Sequence, residues 1–286
     1  MGVIGRILAY IALYAAVALM LGIYIPDAVA AAAMVVGAAV TYLAARYGRR
    51  FEHVASAYGS LAWSSGLFLL FLLTLYAVVS GEPVWASALY AIYTVTGLAT
   101  VGIIGAKEYR AVMQNTRLRD VLLGALLGVV AAWLAYAVPL QVAPLIGPTT
   151  QILSVDAVMG LFIVMLYIVA IPEEFMGRVF AFHAGATTVD LISASVAAAV
   201  LGYALHAVSR YPNFGVLAVI TLVWCAVTAY YALTRCLFGS VLMHAVYNTV
   251  IVLMDVYGAL SVFIPSLVAA VAIAIYIVRS GALEHG

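Results

Sequence analysis

Charge is scarce in this chain. Asp, Glu, Lys and Arg make up 8% of 286 residues, whereas soluble domains carry about 25%. So few charges cannot coat a water-facing surface of this size. Two cysteines are too few for a secreted disulfide scaffold. A net charge of +1 without a basic stripe argues against a nucleic-acid partner. The apolar runs lack the alternation of a lipid-facing β-barrel.

What fills the chain instead is apolar: 67% of residues are hydrophobic and the mean hydropathy is +1.20. A membrane-crossing helix needs about 20 apolar residues. The runs between charged or Pro/Gly punctuation predict an all-α polytopic membrane protein of about ten transmembrane helices, with eight or nine as the alternatives. They fall at 7–24, 28–45, 60–79, 84–104, 121–142, 157–176, 188–209, 214–234, 237–256 and 259–278. Only Tyr257 and Gly258 separate the last two, and Pro265 can bend the tenth. Arg6 and the small residues Ala28-Val29-Ala30 resemble a signal peptide, but the apolar stretch exceeds a signal core and another span follows at once, so an uncleaved first span is expected. Eleven of the twelve Lys and Arg residues, from Arg6 to Arg279, fall on one side of this layout, with Arg210 as the exception. Both termini are therefore expected in the cytosol. No internal repeat divides the chain. The polar tract 105–120 marks the boundary between amino-terminal helices (1–120) and a carboxy-terminal region (121–286).

Ionisable side chains within a span are functional candidates by default. Asp27, Glu82, Asp120 and Asp156 sit at span ends, but Glu173 and Glu174 follow Ala170-Ile171-Pro172 in an apolar helix that continues through Phe180. Counting from Val158 places them about 23 Å across a core of about 30 Å. Glu174 and Arg178 are spaced i, i+4 with the acid first, the favourable order. One carboxylate is thereby held ionised and its neighbour Glu173 is left to exchange protons. His53 and His285 read as solvated, and His183 as an interfacial, structural histidine. His206 lies near the end of the seventh span. His244 and Asn248 share one face of the ninth and can aim two donors at one spot, as a developing oxyanion requires; interhelical hydrogen bonding is the alternative use. No His-Glu-x-x-His occurs, and Cys225 and Cys236 fit no zinc spacing.

The run Glu173-Glu174-Phe175-Met176-Gly177-Arg178 matches a Glu-Glu-x-x-x-Arg signature, and His244-Ala245-Val246-Tyr247-Asn248 a His-x-x-x-Asn signature. With His206 between them, in that order, the chain resembles the CPBP family of CAAX prenyl endoproteases and bacteriocin-processing or immunity proteins. The resemblance covers 173–248 directly and leaves the first four spans outside. It implies a Ras-converting-enzyme-like intramembrane glutamate protease with no metal and no cofactor. Glu173 would be the general base, His206 would position or polarise the water, and His244 and Asn248 would stabilise the oxyanion. Glu174 and Arg178 would support the base. The implied partners are the bilayer and a prenylated or membrane-proximal peptide, reached from the cytosolic side.

Two positions depart from the family pattern: Gly202 stands where phenylalanine is usual, and Val179 where glycine is usual. A span beginning at Thr188 also puts His206 about 27 Å across, far from Glu173. Two other readings stay open. One is a non-proteolytic immunity or scaffold protein of the same family. The other is a proton-coupled transporter with Glu173, Glu174 and Arg178 as relay, although no symmetry-related interrupted helices occur.

Overall fold

A computed structural model describes residues 3, 4, 6–13, 15, 28–48, 50–52, 54, 58–80, 83–137, 154–208 and 214–284. Most of the expected span 7–24, together with Asp27, His53, Glu82, Arg210 and His285, lies outside the described residues. Among those described, the regular structure is helical and no strand occurs. The helices are α1 (Ala28–Tyr47), α2 (Gly59–Ser80), α3 (Pro83–Ala99), α4 (Val101–Ile104), α5 (Ala106–Gln114), α6 (Leu118–Ala137), α7 (Val155–Thr188), α8 (Leu191–Val208), α9 (Phe214–Thr234), α10 (Leu237–Tyr257) and α11 (Ala259–Glu284). Six of them, α1, α6, α7, α9, α10 and α11, are long and apolar enough to cross a membrane. Shorter apolar stretches cover 59–74, 88–104 and 191–206.

The sixth and seventh expected spans need correction. The helix does not stop near 176 but runs on to Thr188, and α8 starts at Leu191 after a two-residue turn. Asp190 caps α8, its Oδ1 accepting from the Ser193 amide at 2.7 Å and its Oδ2 from the Ser193 hydroxyl at 3.0 Å. That side chain meets one of the amides that a helix start leaves without a partner. Tyr10 also donates to Asp190. The boundary at Tyr257–Gly258 holds, because Gly258 takes φ +86° to end α10 and its amide returns to the Met254 carbonyl, a left-handed geometry that glycine adopts without strain. Pro265 lies inside α11 and does not end it.

α7 is not a uniform α-helix. Met165–Ala170 and Phe175–Ala184 are π-helical, bracketing the single turn Ile171–Glu174. Pro172 has no amide to give and its ring crowds the preceding turn, which a locally widened helix accommodates. Such wide turns concentrate at functional sites.

Packing divides the chain into two units, 1–114 with 172–235, and 115–171 with 236–286. In the first, a stripe of small residues on α1 meets α9. Thr41 donates to the Cys225 carbonyl at 3.4 Å, and a Cβ on Gly37 would sit 2.5 Å from the Cys225 Sγ. Trp63 of α2 donates to the carbonyls of Phe180 and Ala181, each at 3.1 Å, satisfying backbone acceptors of the π-helical stretch. The amino-terminal helices thus share a packed unit with the second half of α7. Their core includes Trp63, Leu67, Tyr93, Met176, Phe180, Leu201 and Trp224.

In the second unit, α10 packs on α6, α11 and the first part of α7. Gly124 of α6 lies against the Gly239 backbone of α10, and Gly128 against the Met243 carbonyl. Small residues let apolar helices approach this closely. Val241 and Ala245 of α10 pack on Ala170. Trp133 donates to the Ser266 hydroxyl of α11 at 3.1 Å. Both cysteines are buried and neither is in a disulfide, and the Cys236 Sγ accepts from the Gly239 amide at 3.3 Å, capping α10.

Candidate active site

The expected pairing of Glu174 with Arg178 is present. Arg178 Nε lies 3.0 Å from Glu174 Oε2, and both side chains are fully buried. The two residues are one helical turn apart and form a buried ion pair. A second bond completes the arginine's setting, from Nη2 to the Trp224 carbonyl at 2.9 Å. Its guanidinium also lies 3.9 Å from the centre of the Trp224 ring, a cation–π contact that is strong where water is absent. Glu173, one residue earlier on the same turn, is likewise buried.

Trp224 settles the conflict over depth. A Cβ added to Gly177 would sit 2.5 Å from Trp224 Cζ2, and one added to Gly202 would sit 2.5 Å from its Cγ. The two glycines therefore lie at one level of the α7–α8 hairpin, on either side of the same indole. Glu173 is four residues before Gly177 and His206 four residues after Gly202, about one helical turn in each case. In an antiparallel hairpin both steps lead away from the tip, so base candidate and histidine reach the same level. The expected mismatch came from ending the sixth span too early.

His206 is oriented by its own helix. Its Nδ1 lies 2.7 Å from the Gly202 carbonyl; because a carbonyl only accepts, Nδ1 carries the hydrogen, and in the neutral ring Nε2 carries the lone pair. The ring stands nearly edge-on to Trp224, with centroids 5.8 Å apart. Gly202, the departure from the family signature, now has a reason: its missing side chain is the space that the indole fills. Val179, the second departure, is fully buried in the same packed unit.

His244 is buried and Asn248 half-buried, one turn apart on α10, in the second unit. Among the described residues, no three His, Cys, Asp or Glu side chains gather as a metal-ligand set.

His183 is more than an interfacial residue. It is buried, with Nε2 2.6 Å from Glu108 Oε1, and Nδ1 2.8 Å from the Tyr231 hydroxyl and 2.9 Å from Arg235 Nη1. Because the guanidinium only donates, Nδ1 accepts and Nε2–H donates to Glu108. Arg235 sits at φ +58°, stacks on Phe51 at 3.1 Å and donates to the Arg50 carbonyl at 2.7 Å. The hydrogen bond from His183, followed by the charges around it, holds the Glu108 carboxyl below the usual carboxylate range. The tract 105–120, which reads as a plain polar loop, thereby anchors α5 to α7. Sequence reasoning missed Glu108, Tyr231 and Arg235 in this network, and Trp224 in the site; only the unusual glycine at 202 hinted at the last.

Fold and site together define a helical membrane protein with a buried carboxylate pair, one carboxylate matched to an arginine. Residues 156–250 match the family model Rce1-like, type II CAAX prenyl endopeptidase. That segment contains Glu173, Glu174, Arg178, His206, His244 and Asn248. No curated protein and no solved structure matches the chain.

Proposed function

We propose that this protein is an intramembrane endopeptidase of the CAAX type, cutting a peptide bond near a lipidated or membrane-embedded C-terminus. The observation that carries the reading is the buried Glu173–Glu174–Arg178 turn, lying inside the segment matched to the endopeptidase family. Glu173 takes a proton from water, and the resulting hydroxide attacks the scissile carbonyl carbon. The carbonyl π electrons move to oxygen and a tetrahedral oxyanion forms. Collapse of that intermediate breaks the C–N bond, and the proton held by Glu173 passes to the leaving amine nitrogen. His206, whose Nε2 lone pair can accept from the water, positions it. His244 and Asn248 donate to the oxyanion, an assignment that rests on the motif. Glu174 and Arg178, 3.0 Å apart, form the supporting pair beside the base. Positioned general-base help contributes about 10²–10⁴-fold and an oxyanion donor about 10²–10³-fold.

The same reading takes the chemistry to need no metal or cofactor. It places the protein in the cell membrane as about ten spans with cytosolic ends, and has the substrate reach the site from the cytosolic side. Residues 121–286 form the catalytic region, and 1–120 are amino-terminal helices added to it. The test is cleavage of a farnesylated CAAX peptide by the reconstituted protein, which Glu173→Ala abolishes while the protein stays folded. Full cleavage by that variant overturns the assignment.

A further inference from the structure

We infer that Trp224 is a positioning residue of this site, fixing the His206 ring and the Glu174–Arg178 pair against one another; its kinetic consequence rests on the proteolytic reading. No motif singles out this tryptophan, yet three contacts with site residues converge on it. Its ring face carries the Arg178 guanidinium at 3.9 Å, and its backbone carbonyl accepts from Arg178 Nη2 at 2.9 Å. Arg178 therefore cannot move independently of residue 224, and Glu174 follows Arg178. The same indole meets the His206 ring nearly edge-on at 5.8 Å. Its orientation is locked from three directions. Nε1–H donates to the Ala198 carbonyl of α8 at 2.8 Å, and the ring is wedged between Gly177 of α7 and Gly202 of α8, neither of which has room for a Cβ. The indole thus ties the α7 charge pair to the α8 histidine, and both glycines exist to admit it.

A group that sets geometry without touching the reacting atoms lowers turnover more than binding. Trp224→Leu removes the ring. It is predicted to cut kcat by about 10- to 100-fold, the cost of a displacement near 1 Å, with KM within about threefold. Trp224→Phe keeps a ring over Arg178 and is predicted to recover most of that kcat. Independently of turnover, the imidazole carbon signal of His206, assigned by its loss in His206→Gln, is predicted to shift in both Trp224 variants as the indole ring current is lost. If Trp224→Leu does not fold, Trp224→Phe decides the matter on the same signal and on a smaller kcat loss. Wild-type kcat in folded Trp224→Leu overturns the inference, as does a loss carried by KM or a phenylalanine no better than leucine. An unmoved His206 signal refutes the contact itself. A wild type that cleaves no peptide refutes the proteolytic reading instead, and the His206 signal then decides the contact on its own.

Discussion

Replacing Arg178 by methionine removes the cation 3.0 Å from Glu174 and leaves that carboxylate fully buried. Removing one partner of a buried ion pair costs about 3–5 kcal/mol, because the remaining charge stays out of water. In a chain of this size each kcal/mol corresponds to about 2–4 °C in Tm, so the variant is predicted to melt about 6–20 °C lower. Glu174→Met is milder by the same geometry, since Arg178 keeps the Trp224 carbonyl and ring as partners. The double variant removes both charges and fills the space with apolar atoms. It is predicted to be more stable than Arg178→Met alone, with a coupling energy of about 2–3 kcal/mol. Thermal unfolding in detergent micelles measures all four proteins without reference to activity. Losses that add to within about 0.5 kcal/mol would mean that the two side chains act independently, and the reasoning about the buried pair would be wrong.

Two further outcomes concern other parts of the molecule. A Cβ on Gly124 would overlap the Gly239 carbonyl oxygen and lie 2.8 Å from its carbon. Backbone cannot rotate aside, so Gly124→Ala should cost about 1–3 kcal/mol. Gly160→Ala, with nothing within 4 Å, should be neutral or stabilising by up to about 1 kcal/mol; equal effects in the two unfolding curves would refute the packing account. Glu108→Gln tests the His183 network. The Glu108 pKa is lowered from 4.5 by the His183 hydrogen bond, so its stabilisation is present above that value and lost as pH falls through the lower folded-state one. The glutamine variant should therefore be less stable at neutral pH by about 1 kcal/mol, limited by solvent screening of a partly exposed carboxylate. The difference should vanish in acid, and a deficit that grows below pH 4.5 would reverse the sign of the argument.

The features that were legible in the sequence are local ones. Glu174 and Arg178 pair because four residues of helix bring them together, and that follows from spacing alone. Gly258 ends α10 where the punctuation predicts. Hydropathy finds the apolar helices, but it stops the sixth span near 176 because the ionisable residues there resemble a membrane boundary. The buried partners of those residues, Trp224 for Arg178 and Tyr231 and Arg235 for His183, come from about fifty positions away in the chain. No periodicity carries that information. Trp224 is silent for a further reason: a tryptophan in an apolar helix reads as core, and only the indole's position between Gly177 and Gly202 reveals that it touches the site. The polar tract 105–120 reads as solvated because its contact through Glu108 with His183 depends on how α5 folds back.

The claim that Glu173 activates water for peptide hydrolysis is tested most directly with purified protein in liposomes and a fluorogenic farnesylated CAAX peptide. Wild type, Glu173→Ala and His244→Ala are run in parallel, each with and without chelator. The account predicts cleavage by the wild type that survives the chelator and disappears in both folded variants. Cleavage retained in full by Glu173→Ala, or abolished in the wild type by the chelator, would contradict it.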